Sequence, residues 1–70
     1  MRFAVVYHKT RSGFSAEVPD LPGCVAAGRT KEQTRKLMQG AIKMHLDGMK
    51  EDGEPIPEPS TQTEYIAVRG

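Results

Sequence analysis

One thiol, two imidazoles and a few carboxylates are the groups in this chain that could do covalent or acid–base chemistry. Cys24 with His8 or His45 has the composition of a thiolate–imidazole pair, in which the base takes the thiol proton and the sulfur attacks. No spacing brings either histidine to Cys24. His45 falls on an apolar helical stripe, where a single hydrogen bond satisfies an imidazole. Cys24 follows a turn into a strand, where a small thiol packs as a hydrophobe. His8 closes a strand and faces solvent. Glu51, Asp52, Glu54 and Glu58 gather behind a helix without the ligand alternation of a calcium loop, and read as a solvated acidic edge. Two-metal nuclease chemistry needs carboxylates on central strands. Residues 2–9 hold none, and Glu17 is the only acid of the second strand. There is no Cys-x-x-Cys pair and no glycine-rich phosphate loop. The reading is no enzyme, no cofactor and no metal.

With chemistry set aside, size becomes informative. Seventy residues make one domain, 1–70. A chain of this length buries only ~60% of its unfolded surface, and its core nets ~3–5 kcal/mol. A single cysteine excludes an internal disulfide, so the expected staple is another chain. Ten basic and nine acidic residues are interspersed, without the dense stripe that phosphate contact needs. No apolar run reaches the ~18 residues of a membrane span. A lone thiol and no targeting segment read as a reducing cytoplasm.

The elements follow from periodicity. Residues 2–9 alternate, with Phe3, Val5 and Tyr7 on one face and Ala4, Val6 and His8 on the other. Residues 14–18 alternate again, and Thr10-Arg11-Ser12-Gly13 between them is turn chemistry, so the two make a hairpin. Residues 24–29 are a third strand of small residues. Thr30-Lys31-Glu32-Gln33 is a capping box that opens a helix running to about Glu51, and Asp52-Gly53 stops it. At 100° per residue, Thr34, Met38, Ala41, Ile42, His45 and Met49 form the apolar stripe. Leu37, Met44 and Gly48 widen it on one flank, and a helix of ~30 Å overhangs strands of ~20 Å. Leu37, Met44 and Gly48 are therefore candidates for self-association. Residues 54–59 form an extended arm with proline at every second position. Residues 64–69 alternate as a fourth strand. The expected fold is α+β, in the order β-β-β-α-β. It has a four-stranded mixed sheet of order 3-2-1-4, with one helix on one face.

Val18-Pro19-Asp20-Leu21-Pro22-Gly23-Cys24 is the stiffest stretch of the chain. Each proline fixes φ near −65° and pushes the residue before it towards extended geometry. Gly23 after Pro22 fits a type II turn. Such a corner is a rigid connector between two strands, or a preformed recognition loop of Pro19, Asp20, Leu21, Pro22 and Gly23 with Leu21 at its tip.

These residues carry a resemblance. Val18-Pro-Asp-Leu-Pro-Gly-Cys-Val, Gly28-x-Thr30, His45-Leu46-x-Gly48, and the run from Asp52-Gly53 through Pro59-Ser60 together resemble the HicB antitoxin family, in order and over nearly the whole chain. The resemblance implies a partial ribonuclease-H-like fold. It also implies the family role of binding and neutralising a HicA-type ribonuclease toxin. The Thr-x-x-Glu-Ala often found at the family's helix start has Gln33 and Thr34 in its last two places here. Longer members carry a C-terminal DNA-binding segment that these residues lack, so no direct DNA binding is expected of them.

Two rival functions remain at this point. One is a small RNA-associated domain using the open sheet face. The other is an orphan fold that self-associates, as a homodimer or higher homo-oligomer, without a toxin partner.

Overall fold

A computed structural model describes all 70 residues. Three short strands, β1 (Val6–Lys9), β2 (Phe14–Glu17) and β3 (Val25–Gly28), precede one 21-residue helix, α1 (Lys31–Glu51). The strands form an antiparallel sheet in the order β1-β2-β3, with Val6 opposite Glu17 and Glu17 opposite Val25. Their alternation sends Ala16 and Val18 towards α1, while His8 and Glu17 face away.

The turns and caps follow local chemistry closely. Thr10 N–H bonds the Gly13 carbonyl at 2.8 Å, closing the first hairpin. A Cβ on Gly13 would run into the Gly28 carbonyl and the Arg29 backbone, so only glycine fits this close approach. Thr30 Oγ1 accepts from Gln33 N–H at 3.0 Å, which is the expected cap. Gln33 Oε1 reaches back one residue further than the usual box and accepts from Arg29 N–H at 2.7 Å. At the other end Gly53 has φ +71°, Glu54 N–H bonds the Met49 carbonyl and Gly53 N–H bonds the Lys50 carbonyl. That pairing is the Schellman motif, which only a left-handed residue closes easily.

The core is small: Ala16, Val18, Leu21, Cys24 and Met38, with Phe3, Val5, Tyr7, Ala26, Ala41, Ile42, Leu46 and Met49 packed around it. Thr34 is the one buried polar residue, and its hydroxyl donates to the Thr30 carbonyl at 2.8 Å. No residue of α1 after Met38 is fully buried. The second half of the helix lies against the core through the half-buried Ala41, Ile42, Leu46 and Met49.

The expected four-stranded sheet of order 3-2-1-4 is corrected to three strands. Residues 64–69 form no strand, and no backbone–backbone hydrogen bond involves residues 55–70. Tyr65, Ile66 and Val68 are 101%, 74% and 85% exposed. The tail nonetheless lies on the β1 side. Thr63, Glu64 and Tyr65 share a hollow of about 310 Å³ with Val5, Val6 and Tyr7, and Thr61, Gln62 and Thr63 share another with Arg2, Phe3 and Ala4. The numbering rises in step on both sides, so the tail runs parallel to β1 with a gap where a ladder would be. Its alternation has apolar residues on both faces (Tyr65 and Ala67, Ile66 and Val68), so neither face imposes a register. Strand β1 is also shorter than residues 2–9, because β2 leaves the sheet at Val18 to enter the proline corner. Residues 1–5 have no strand beside them.

Leu21 is fully buried in this small core. Leu21→Ala is expected to cost about 2–5 kcal/mol, most of the stability of a domain this size. Leu37→Ala, at a half-exposed position, should cost far less. Urea unfolding of both variants checks this, and equal losses would show that the corner is not the centre of the core.

Candidate functional site

The proline corner is two tandem turns. Leu21 N–H bonds the Val18 carbonyl and Cys24 N–H bonds the Leu21 carbonyl, each at 3.0 Å. Pro19 and Pro22 occupy the second positions of the two turns, where their fixed φ costs nothing, and Gly23 takes φ +86° at the third position of a type II turn. Val18 N–H bonds the Cys24 carbonyl at 3.1 Å and closes the corner at its base. Leu21 is shared by both turns and points inward, not out at a tip. Pro19, Pro22 and Gly23 are exposed, and Asp20 is half-buried.

Asp20 is the corner's one charge, and its partners lie forty residues away. Oδ2 accepts the backbone N–H groups of Ser60 and Thr61, each at 2.9 Å. Oδ1 accepts the hydroxyls of Thr61 at 2.7 Å and Ser60 at 3.3 Å. The backbone and side-chain bonds from Thr61, followed by those from Ser60, hold the carboxyl pKa at about 2, below its ordinary 3.8. The carboxylate is a latch: it fixes the end of the proline arm against the corner and leaves no lone pair free for an outside ligand. Ser60 and Thr61 were not legible as site residues. The only local signal is a pair of hydroxyl residues following the last proline.

The candidate chemical groups do not assemble into a catalytic site. Cys24 and His45 line the same hollow of about 210 Å³, with Gly23, Val25, Ala41 and Met44, but no hydrogen bond joins them. Burial pushes the Cys24 thiol pKa up, away from the thiolate. His8 Nε2 lies 3.4 Å from Glu17 on the exposed sheet face, a contact of little energetic weight. No three His, Cys, Asp or Glu side chains converge as a metal site would require. No helix is long and apolar enough to cross a membrane. The candidates Leu37, Met44 and Gly48 lie on one flank of α1, with Leu37 49% and Met44 76% exposed.

The fold and this corner define a small α+β domain with a rigid, proline-built corner at its surface. Residues 3–69 match the family model described as the HicB_like antitoxin of bacterial toxin–antitoxin systems, and the chain belongs to that family. It is similar to an uncharacterised 14.9 kDa protein of Haemophilus phage HP1, 35% identical over 94% of this chain and 50% of that protein. It is also similar to antitoxin HicB 2 of Photorhabdus laumondii, 33% identical over 91% of this chain and 46% of that one. The chain thus spans about half the length of these curated relatives. Among solved structures, a chain of a HicA3 and HicB3 toxin–antitoxin complex superposes with a TM-score of 0.73 at 30% identity, covering 86% of this chain and 70% of that chain.

Two outcomes are expected from this geometry. Because the folded pKa of Asp20 is depressed, its latch is complete above about pH 4 and is lost as pH falls towards about 2. At neutral pH, Asp20→Ala should free the arm, and a glutamate-specific protease should then cut after Glu64, the one glutamate of the arm and tail not followed by proline, several-fold faster while helix content holds. Unchanged cleavage would show that the arm is held elsewhere. Separately, the Cys24 thiol should react slowly with a thiol reagent in the native protein and rapidly in urea; immediate native labelling would contradict its burial.

Proposed function

We propose that this chain is an antitoxin-type interaction domain that binds and neutralises a HicA-type ribonuclease toxin in the cytoplasm. The observation that carries the reading is the likeness, at 30% identity, to a chain of a HicA3 and HicB3 toxin–antitoxin complex, joined to membership of the HicB-like family. In this reading the protein acts by occupying surface, without catalysis of its own. The exposed Pro19, Pro22 and Gly23 supply a rigid contact that loses little entropy on binding. Leu21 anchors that contact from below, and Asp20 holds the arm beside it.

The RNA-associated alternative lacks a carrying observation. Single-stranded nucleic acid is bound by exposed rings over a basic groove. The outer sheet face presents Val6, His8, Ser15, Glu17, Val25 and Ala27, with no ring among them except the histidine that sits by Glu17.

Co-expression with a tagged neighbouring open reading frame, when that frame encodes a small basic protein, tests the proposal. The expected result is co-purification in fixed ratio and relief of the growth arrest that the frame causes alone. Replacing Pro19 and Pro22 together by serine should weaken the complex about tenfold, the order expected when a preordered loop becomes flexible. A toxic partner that fails to bind the folded protein would refute the function. Tight binding indifferent to the double variant would move the contact away from the corner.

A further inference from the structure

The fold separates charges that the sequence intersperses. Lys9 and Arg11 stand at one end of the sheet, where β1 turns into β2. Gly13, in the same turn, lies so close to Gly28 and Arg29 that a Cβ would strike their backbone atoms. Arg29 leads into α1, and Lys31, Arg35 and Lys36 occupy its first two turns. One end of the molecule thus gathers six of the ten basic residues, with Glu32 the single acid among them.

All six side chains are exposed. The two close charge contacts of the protein, His8 with Glu17 and Lys43 with Asp47, involve none of them. Lys31 lies over the Tyr7 ring, 5.0 Å from its centre, which attracts the ammonium without neutralising it. Alternation places Lys9 on the same face of β1 as Tyr7, the face towards α1. Acids take the other end of the helix, where residues 47–54 hold four against one base. Lys31 and Glu51, the first and last residues of α1, stand about 30 Å apart at 1.5 Å per residue. The Debye length at physiological salt is about 8 Å, so the acidic end does not cancel the basic one. A surface that needs only solubility mixes both signs.

We propose that this basic end binds the phosphate backbone of duplex RNA. The cations sit on three separate pieces of chain, the hairpin turn, the end of β3 and the start of α1, and not around one pocket. That spread matches a row of charges, as a polyanion presents, and not a single small anion. No exposed ring lies among them for an unpaired base to stack on, since Tyr7 and Phe14, the nearest aromatics, are half-buried. A duplex keeps its bases stacked inside and is held through its phosphates and its shape. The choice of RNA over DNA rests on the antitoxin reading, because a domain that covers a ribonuclease toxin works beside that toxin's RNA. The proline corner joins the opposite ends of β2 and β3 from this turn, so the two surfaces can be occupied together.

Fluorescence anisotropy of a labelled short RNA duplex of mixed sequence, titrated with the whole chain, tests this, with circular dichroism to confirm folding. Wild type should bind in the micromolar range at low salt and weaken steeply as salt rises. Arg11→Gln with Arg35→Gln, both at exposed positions, should weaken binding at least tenfold. The slope of log Kd against log salt should fall by about two, one for each phosphate contact removed. Lys50→Gln, at the acidic end, should change neither. Absence of binding at low salt, or binding indifferent to the double variant, overturns the proposal. So does binding of a single strand, or of a DNA duplex of the same sequence, as tight as that of duplex RNA. A double variant that ignores RNA throughout but loses its hold on a co-expressed toxin would make this end a protein contact and overturn it too. The titration contains no toxin, so its result is read separately from the co-expression experiment.

Discussion

Two prolines in consecutive turns leave the residue between them almost no choice of direction. Pro19 and Pro22 fix the backbone on either side of Leu21, and both turns close on Leu21 itself, through its N–H and its carbonyl. The side chain is driven inward, where it becomes the most buried residue of a core with only five members. The neighbouring Asp20 is left at the surface and meets Ser60 and Thr61 of the arm. A single stiff corner thus fixes the centre of the core and the path of the last sixteen or so residues. In a domain whose net stability is ~3–5 kcal/mol, few other features could do both.

Local chemistry was the legible part of the fold. The hairpin, the third strand, the Thr30 cap and the Gly53 stop were all readable, because each depends on residues within a few positions of one another. Gln33 missed its expected donor by one residue, a shift within the reach of its side chain. The fourth strand was misread because its alternation satisfied a pattern without satisfying a partner. Pairing depends on where the proline arm delivers the chain, and that is decided by Asp20 forty residues earlier. The stiffness of the corner follows from its two prolines, but a connector and a recognition loop with Leu21 at its tip are equally compatible with that stiffness; the structure puts Leu21 inside and bonds Asp20 to its own arm. A sequence fixes a proline's φ directly, but which of two flanking side chains points inward depends on the sheet beneath.

The same distinction separates the satisfied parts of the molecule from the unsatisfied ones. No buried side-chain nitrogen or oxygen lacks a hydrogen-bond partner. The caps are complete, and the corner's carboxylate is saturated. Where local rules are broken, every instance lies on the outside: an unpaired strand edge, glycines within a helix and an apolar tail in solvent. Local and global preferences in a natural sequence normally agree, and their disagreements mark places shaped by something other than the isolated fold.

That location argues for how a chain this small divides its surface. A rigid corner built from prolines has its conformation fixed before any encounter, which suits contact with a partner of different shape. The β3 edge and the helix flank are arranged otherwise: they carry unpaired backbone groups, exposed side chains and opposite charges at the two ends. Strand β3 and the corner are also directly connected, since the Val18–Cys24 hydrogen bond closes the corner where β3 begins. That bond ties the corner to the edge of the sheet, so the position of β3 and the base of the corner are set together.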